Sequence, residues 1–266
     1  MNKLKDKVAV IYGNGAVGAA IAKAFAHEGA KVFLTGLTSA KLKTIADEIV
    51  FDGGTIETAQ VDALDEQAVE KHMNDVIKKA GKVDISFNAI GISQKDAGHN
   101  PLIELSVESF FFPIATYAQS HFITGKAAAS RMIKQGNGVI VMHTANLSRV
   151  SAPFAGGRGP AWAAMESICR SFSVEYGEQG VRTVCLFTTA IPETPIIEAA
   201  FKELYETQAK TQGLTIEQFN GMVSGGTHRK RLTTLKELTD SAIFAVSDEG
   251  SAITGTVLNL TAGMIV

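Results

Sequence analysis

Two kinds of apolar pattern alternate along the chain. Compact runs such as Val8-Ala9-Val10-Ile11 have the length of buried strands. Longer stretches return an apolar residue every third or fourth position, as Val17, Ile21, Ala24 and Phe25 do before Gly29, and read as helices with one buried face. The pattern predicts strands over 8–11, 31–35, 55–61, 83–87, 139–143, 182–187 and 256–260. Helices are predicted over 41–50, 65–80, a long stretch running from beyond Pro101 through Ser130, 160–176 and 235–246. Pro160 falls in the first turn of its helix, where a missing N–H costs nothing. Strands that alternate with helices pair in parallel through right-handed crossovers. The expectation is an α/β fold: a doubly wound parallel sheet of about seven strands in a single domain, 1–266.

One segment breaks this rhythm. Residues 190–231 contain Pro192, Pro195 and a helical piece around 196–208 before the next regular unit. A long connection of this kind suits a lid over a site at the strand ends; a surface insertion without a role is the alternative.

The first turn carries chemistry. After the first strand come Gly13-Asn14-Gly15-Ala16-Val17-Gly18, then a helix. Gly13 permits a sharp turn, Gly15 lets a diphosphate reach the backbone, and Gly18 brings helix and strand together. The free N–H groups opening the helix favour an anion. A purely structural tight turn is the competing reading.

Composition narrows the partners. The chain has 266 residues, is 45% hydrophobic and 20% charged, and has a net charge of −2, which speaks against a nucleic-acid surface. The one dense basic stretch, Thr227-His228-Arg229-Lys230-Arg231, reads as a solvated loop. No apolar run reaches the length of a membrane span, and no long apolar leader precedes the first strand. Cys169 and Cys185 lack metal-like spacing and read as reduced core residues, so a cytoplasmic location without a metal site is expected.

Several segments in one order resemble the short-chain dehydrogenase/reductase family over essentially the whole length. They are the glycine turn, Asp62, Asn88-Ala89-Ile90-Gly91, the stretch from Pro101 to Phe110, and the tail from Ile253 to Gly263. The resemblance implies a Rossmann fold that binds NAD or NADP. It also implies a homodimer or homotetramer formed through the helices at 106–130 and 160–176, where Ala161, Ala163 and Ala164 permit close packing. Carried over residue by residue, the cofactor contacts fall on Gly13, Gly15, Ala16, Val17, Gly18, Thr35, Thr38, Asp62, Ala63, Asn88, Ala89, Ile90, Thr188, Ile191 and Thr194.

The family's catalytic set does not carry over. Its tyrosine falls on Arg158, its lysine on Trp162, its serine on Ala145 beside Thr144, and its asparagine on Tyr117. A guanidinium stays protonated and cannot act as a general acid, though it can hold a carboxylate or phosphate. Tyr117 needs a nearby cation to act below the phenol's usual pKa of about 10. His143 could serve as an acid near neutral pH, and Thr144 could orient an oxygen. Each also has a plainer reading: Tyr117 and Trp162 as packing residues, His143 as a core histidine, Arg158 as an ion-pair partner.

The second strand runs into Thr35-Gly36-Leu37-Thr38-Ser39, with no acidic residue to take the ribose hydroxyls of NAD. That absence tilts the expectation toward NADP. Thr188-Thr189 stands where the family has Pro-Gly, so the adenine side is better kept than the nicotinamide side. The reading is an NAD(P)-dependent oxidoreductase for a small carbonyl, alcohol or activated alkene. The alternative is a catalytically silent nucleotide-binding relative, a sensor or an oligomer partner.

Overall fold

In the computed structural model residues 2–92 and 100–265 are described. Seven strands form one parallel sheet: β1 Val8–Tyr12, β2 Lys31–Gly36, β3 Thr55–Gln60, β4 Ile85–Asn88, β5 Gly138–Ala145, β6 Val181–Thr188 and β7 Thr256–Leu260. Their order is β3-β2-β1-β4-β5-β6-β7. The order reverses between β1 and β4, and the carboxyl ends of strands at such a reversal open onto a crevice.

Helices cover both faces. They are α1 Ala16–His27, α2 Ser39–Phe51, α3 Glu66–Ala80, α4 Val107–Gln135, α5 Arg158–Tyr176, α6 Pro195–Leu204, α7 Ile216–Gly225 and α8 Leu235–Val246. Successive strand residues face opposite ways. Ala9, Ile11, Phe87, Val139, Val141, Val184 and Leu186 pack beneath Ile21, Phe25 of α1 and Leu238, Ala242 of α8. Val8, Val10, Tyr12, Ile140, Met142 and Cys185 face the other layer, with Val69 and Met73 of α3, Ala128 and Met132 of α4, and Cys169 and Phe172 of α5. Both cysteines are buried and unpaired.

The elements follow the apolar pattern, and the differences lie at their ends. β5 and β6 run on to Ala145 and Thr188 because Thr144 still pairs with Phe187 and Ala145 with Thr188, although the apolar run has stopped. α4 begins at Val107, where the Ser106 hydroxyl accepts from the Ser109 amide at 3.1 Å, and ends only at Gly136 in the left-handed region. The loop expected before Pro101 falls largely outside the described residues.

The irregular segment holds two short helices. Phe201 and Tyr205 close on Phe219 of α7, with ring centroids 6.3 and 5.8 Å away. Its two ends are tied to the body: Thr189 and Thr233 share a 3.0 Å hydroxyl contact, and Glu193 accepts from the Leu235 amide at 2.7 Å. The basic stretch is partly neutralised. Arg231 makes two bonds to Glu237 at 2.8 and 2.5 Å, which holds that carboxyl down at about 2. No helix among the described residues is long and apolar enough to cross a membrane.

Candidate cofactor and active site

The glycine turn lies at the reversal of strand order. Gly13 has φ +106°, and a Cβ there would sit 2.6 Å from the Ala89 carbonyl oxygen. A Cβ on Gly18 would overlap the carbonyl of Gly13 itself. Around Gly15 there is open space, and as the N-cap of α1 it offers no side-chain bond to the first-turn amides. Unsatisfied amides, no side chain in the way and a helix dipole behind them suit a diphosphate. On this observation the residues present fit the diphosphate of a dinucleotide.

The remaining expected contacts surround that turn unequally. Asp62, exposed, accepts from the Leu64 amide at 2.9 Å, and Ala63 is buried next to it. Asn88 Oδ1 accepts from the Ile90 amide at 3.0 Å while Nδ2 donates to Thr124 Oγ1 at 3.0 Å, so Asn88 ties the end of β4 to α4. Ala16 and Val17 open α1. Thr35 differs from expectation: it is 1% exposed and its hydroxyl donates back to the Ile11 carbonyl at 3.3 Å, away from any ligand. Thr38 caps α2 through its backbone only. Ile191 is buried, and the Thr194 hydroxyl donates to the Ile191 carbonyl at 2.8 Å.

On the other side of the crevice three of the expected residues meet. Tyr117 of α4 and Trp162 of α5 have ring centroids 6.2 Å apart and pack with Ile92, Ile114 and Met165. The Tyr117 hydroxyl accepts from the Ile92 amide at 3.4 Å. Burial raises the Tyr117 pKa, while the Ile92 amide and the Arg158 guanidinium pull it back. Arg158 donates through Nε to the Ala155 carbonyl at 3.0 Å and through Nη2 to the Phe154 carbonyl at 2.8 Å. Burial lowers the arginine's own pKa and Tyr117 raises it, so phenol and cation lie within electrostatic reach of each other.

His143 and Thr144 separate. His143 Nε2 lies 3.0 Å from Thr188 Oγ1. Burial holds this imidazole down at about 4, so the ring is neutral at pH 7, and the expectation of an acid near neutrality does not follow from its surroundings. Thr144 points to the opposite face of β5, is 1% exposed, and shares its hydroxyl with Cys185 Sγ at 3.1 Å. It is therefore turned into the core and not toward an oxygen at the strand ends. Ala145 offers no polar group.

Two features escaped the sequence reading. His121, one turn along α4 from Tyr117, is buried; its Nδ1 lies 2.9 Å from the Tyr117 carbonyl and its Nε2 has no partner among the described residues. Its spacing of four from Tyr117 was the available signal. A cleft of about 630 Å³ opens beside the β5–α5 connection; among the described residues it is lined by Leu102, Phe110, Leu147, Val150, Phe154 and Pro160 together with other apolar and small residues. None of Tyr117, His143 or Trp162 lines it; it reaches the site through Phe154 and Ala155, the partners of Arg158.

Comparison with known proteins agrees with this architecture. A family model described as enoyl-(acyl carrier protein) reductase matches residues 13–265. The chain belongs to the short-chain dehydrogenase/reductase family, whose oxidoreductases bind NAD(P). An uncharacterized oxidoreductase of Bacillus subtilis (strain 168) is 28% identical, over 100% of this chain and 93% of that protein. A 7 alpha-hydroxysteroid dehydrogenase complexed with NADH and 7-oxo glycochenodeoxycholic acid is 25% identical with a TM-score of 0.85, covering 98% of this chain and 96% of that one. A gluconate 5-dehydrogenase from Burkholderia cenocepacia in complex with NADP and tartrate, 21% identical, shares the fold with a TM-score of 0.85 over 98% and 96% of the two chains.

Proposed function

We propose that this protein is an NAD(P)-dependent oxidoreductase for a small carbonyl, alcohol or activated alkene, with Tyr117 as proton donor and Arg158 as the charge beside it. What supports the reading is that the Tyr117 phenol of α4 and the Arg158 guanidinium of α5 lie within electrostatic reach of each other. Phenol and cation occupy different helix positions from those of the family, but the electrostatic logic is the same: a nearby positive charge favours the phenolate that remains after proton transfer. The Tyr117 oxygen accepts from Ile92, which leaves its own proton to give. The nicotinamide, when bound, supplies the hydride. Trp162 walls the site and holds the Tyr117 ring; His143 stays neutral and fixes Thr188.

The absence of an acid beside Gly36 favours NADP over NAD. Residues 190–231, tied down at both ends, act as the substrate lid. Exposed Phe111, Phe112 and Phe122 on α4 and Val174 on α5 supply an apolar face for a homodimer or homotetramer. Two buried free thiols fit a reducing, cytoplasmic compartment.

The test is turnover of NADPH and NADH with a panel of ketones and enones, with the native protein beside Tyr117→Phe. A fall in kcat/KM of about 100-fold or more, with nucleotide affinity unchanged, is expected. Unchanged turnover in the variant refutes the donor. Tight nucleotide binding with no turnover of any substrate favours the silent relative, to which the loss of the usual serine, tyrosine and lysine also points.

A further inference from the structure

We propose that Asn14 sets the cofactor selectivity, by filling the space in which a carboxylate at the end of β2 would read the ribose. The inference rests on the dinucleotide reading above. In folds of this kind an acidic side chain at that strand end binds the 2′-hydroxyl of NAD. Here β2 ends at Gly36, paired with Gln60 of β3. A Cβ added to Gly36 would run into the end of the Asn14 side chain, meeting its Cγ, Oδ1 and Nδ2 together.

Asn14 belongs to the phosphate turn, between Gly13 and Gly15, yet its carboxamide lies across Gly36. It is fastened there: Nδ2 donates to the Thr38 carbonyl at 3.1 Å. The next residues are fastened as well. Gln60 Nε2 donates to the Leu37 carbonyl at 3.1 Å, and Ser39 Oγ donates to Gln60 Oε1 at 3.1 Å. An asparagine so held presents a neutral carboxamide to a ribose, with one of its two N–H donors engaged by Thr38.

The same corner suits an anion. α2 starts at Ser39 with no side-chain cap and no acidic residue in its first turn, while Lys41 lies within that turn. A 2′-phosphate gains from the helix N-terminus and meets no carboxylate. Asn14 thus links the diphosphate turn to the 2′ position: any side chain at 36 must displace it, and it holds the start of α2 in place.

The experiment is calorimetric titration of native protein, Asn14→Asp, Gly36→Asp and the double variant Asn14→Ala/Gly36→Asp. The probes are NADPH, NADH, and the half-molecules 2′,5′-ADP and ADP, which read the adenine side alone. Native protein is expected to bind NADPH and 2′,5′-ADP at least tenfold more tightly than NADH and ADP. Asn14→Asp, nearly isosteric and so the variant most certain to fold, should weaken the two 2′-phosphorylated probes at least tenfold and the other two less. Gly36→Asp alone should weaken all four, because the new side chain displaces Asn14. The double variant should reverse the order in favour of NADH and ADP. Equal affinities in the native protein, or a full reversal by Gly36→Asp alone, overturn the role of Asn14. No binding of any probe to native protein overturns the dinucleotide reading itself.

Discussion

The two sides of the crevice are built from different materials. The side that receives the diphosphate is made of backbone: amides of α1, Gly13 and Gly18 at close approach, and open space at Gly15. The side that would receive the nicotinamide and substrate is made of side chains, among them Tyr117, Arg158 and Trp162. Backbone geometry is fixed by the fold, so it survives wherever the glycines do. Side-chain chemistry is fixed one residue at a time, and each replacement must be judged by what it touches. Tyr117 touches Trp162 and feels Arg158, Thr144 touches Cys185, and His143 touches Thr188.

The contrast can be broken at its strongest point first. Gly18→Val forces a side chain into the Gly13 carbonyl, and a loss of about 3 kcal/mol or more is expected, read by urea unfolding, together with loss of nucleotide binding. A stably folded Gly18→Val that still bound the nucleotide would refute the backbone account.

On the other side, Tyr117→Phe is expected to raise the barrier by about 3 kcal/mol while changing stability by less than about 1 kcal/mol. Equal losses of activity and stability would make Tyr117 a packing residue instead.

Protonation gives the next effect. His72 and His121 are buried, each keeps an unpartnered nitrogen, and burial holds both down at about 4. Their folded pKa lies below the unfolded value near 6.5, so below pH 6.5 the unfolded chain binds more protons. Stability from these groups is complete above that pH and is lost as pH falls toward 4. Going from pH 7 to 5 should cost about 2 kcal/mol for each of these and for His143, which burial also holds down at about 4, so His121→Asn should remove about a third of the slope. A pH-independent midpoint of unfolding would contradict this. The smallest effect is expected at Thr194, where Thr194→Val removes the hydroxyl bond to the Ile191 carbonyl, leaves the amide bond at 3.0 Å, and costs about 1 kcal/mol by the same unfolding measurement.

Much of this was legible in the residue pattern. The alternation of compact apolar runs with helical spacing fixes seven parallel strands, and α8 and β7 fall where that pattern ends. The glycine turn was readable because backbone sites need particular glycines at particular spacing. The extra residues of β5 and β6 were not readable, since pairing between Ala145 and Thr188 continues after hydrophobicity stops. Nor was the inward turn of Thr144, which depends on strand parity and on Cys185 being its neighbour across two strands.

By itself the sequence determined the fold class and the glycine turn after β1, because each depends on local spacing or on residue type alone. Only the tertiary structure decided that Asn14 covers Gly36, that the Tyr117 ring packs on Trp162, and that His143 is a partner of Thr188. These are encounters between segments distant along the chain, and their energies come from distance, burial and the competition for hydrogen bonds, none of which is defined until the chain has folded.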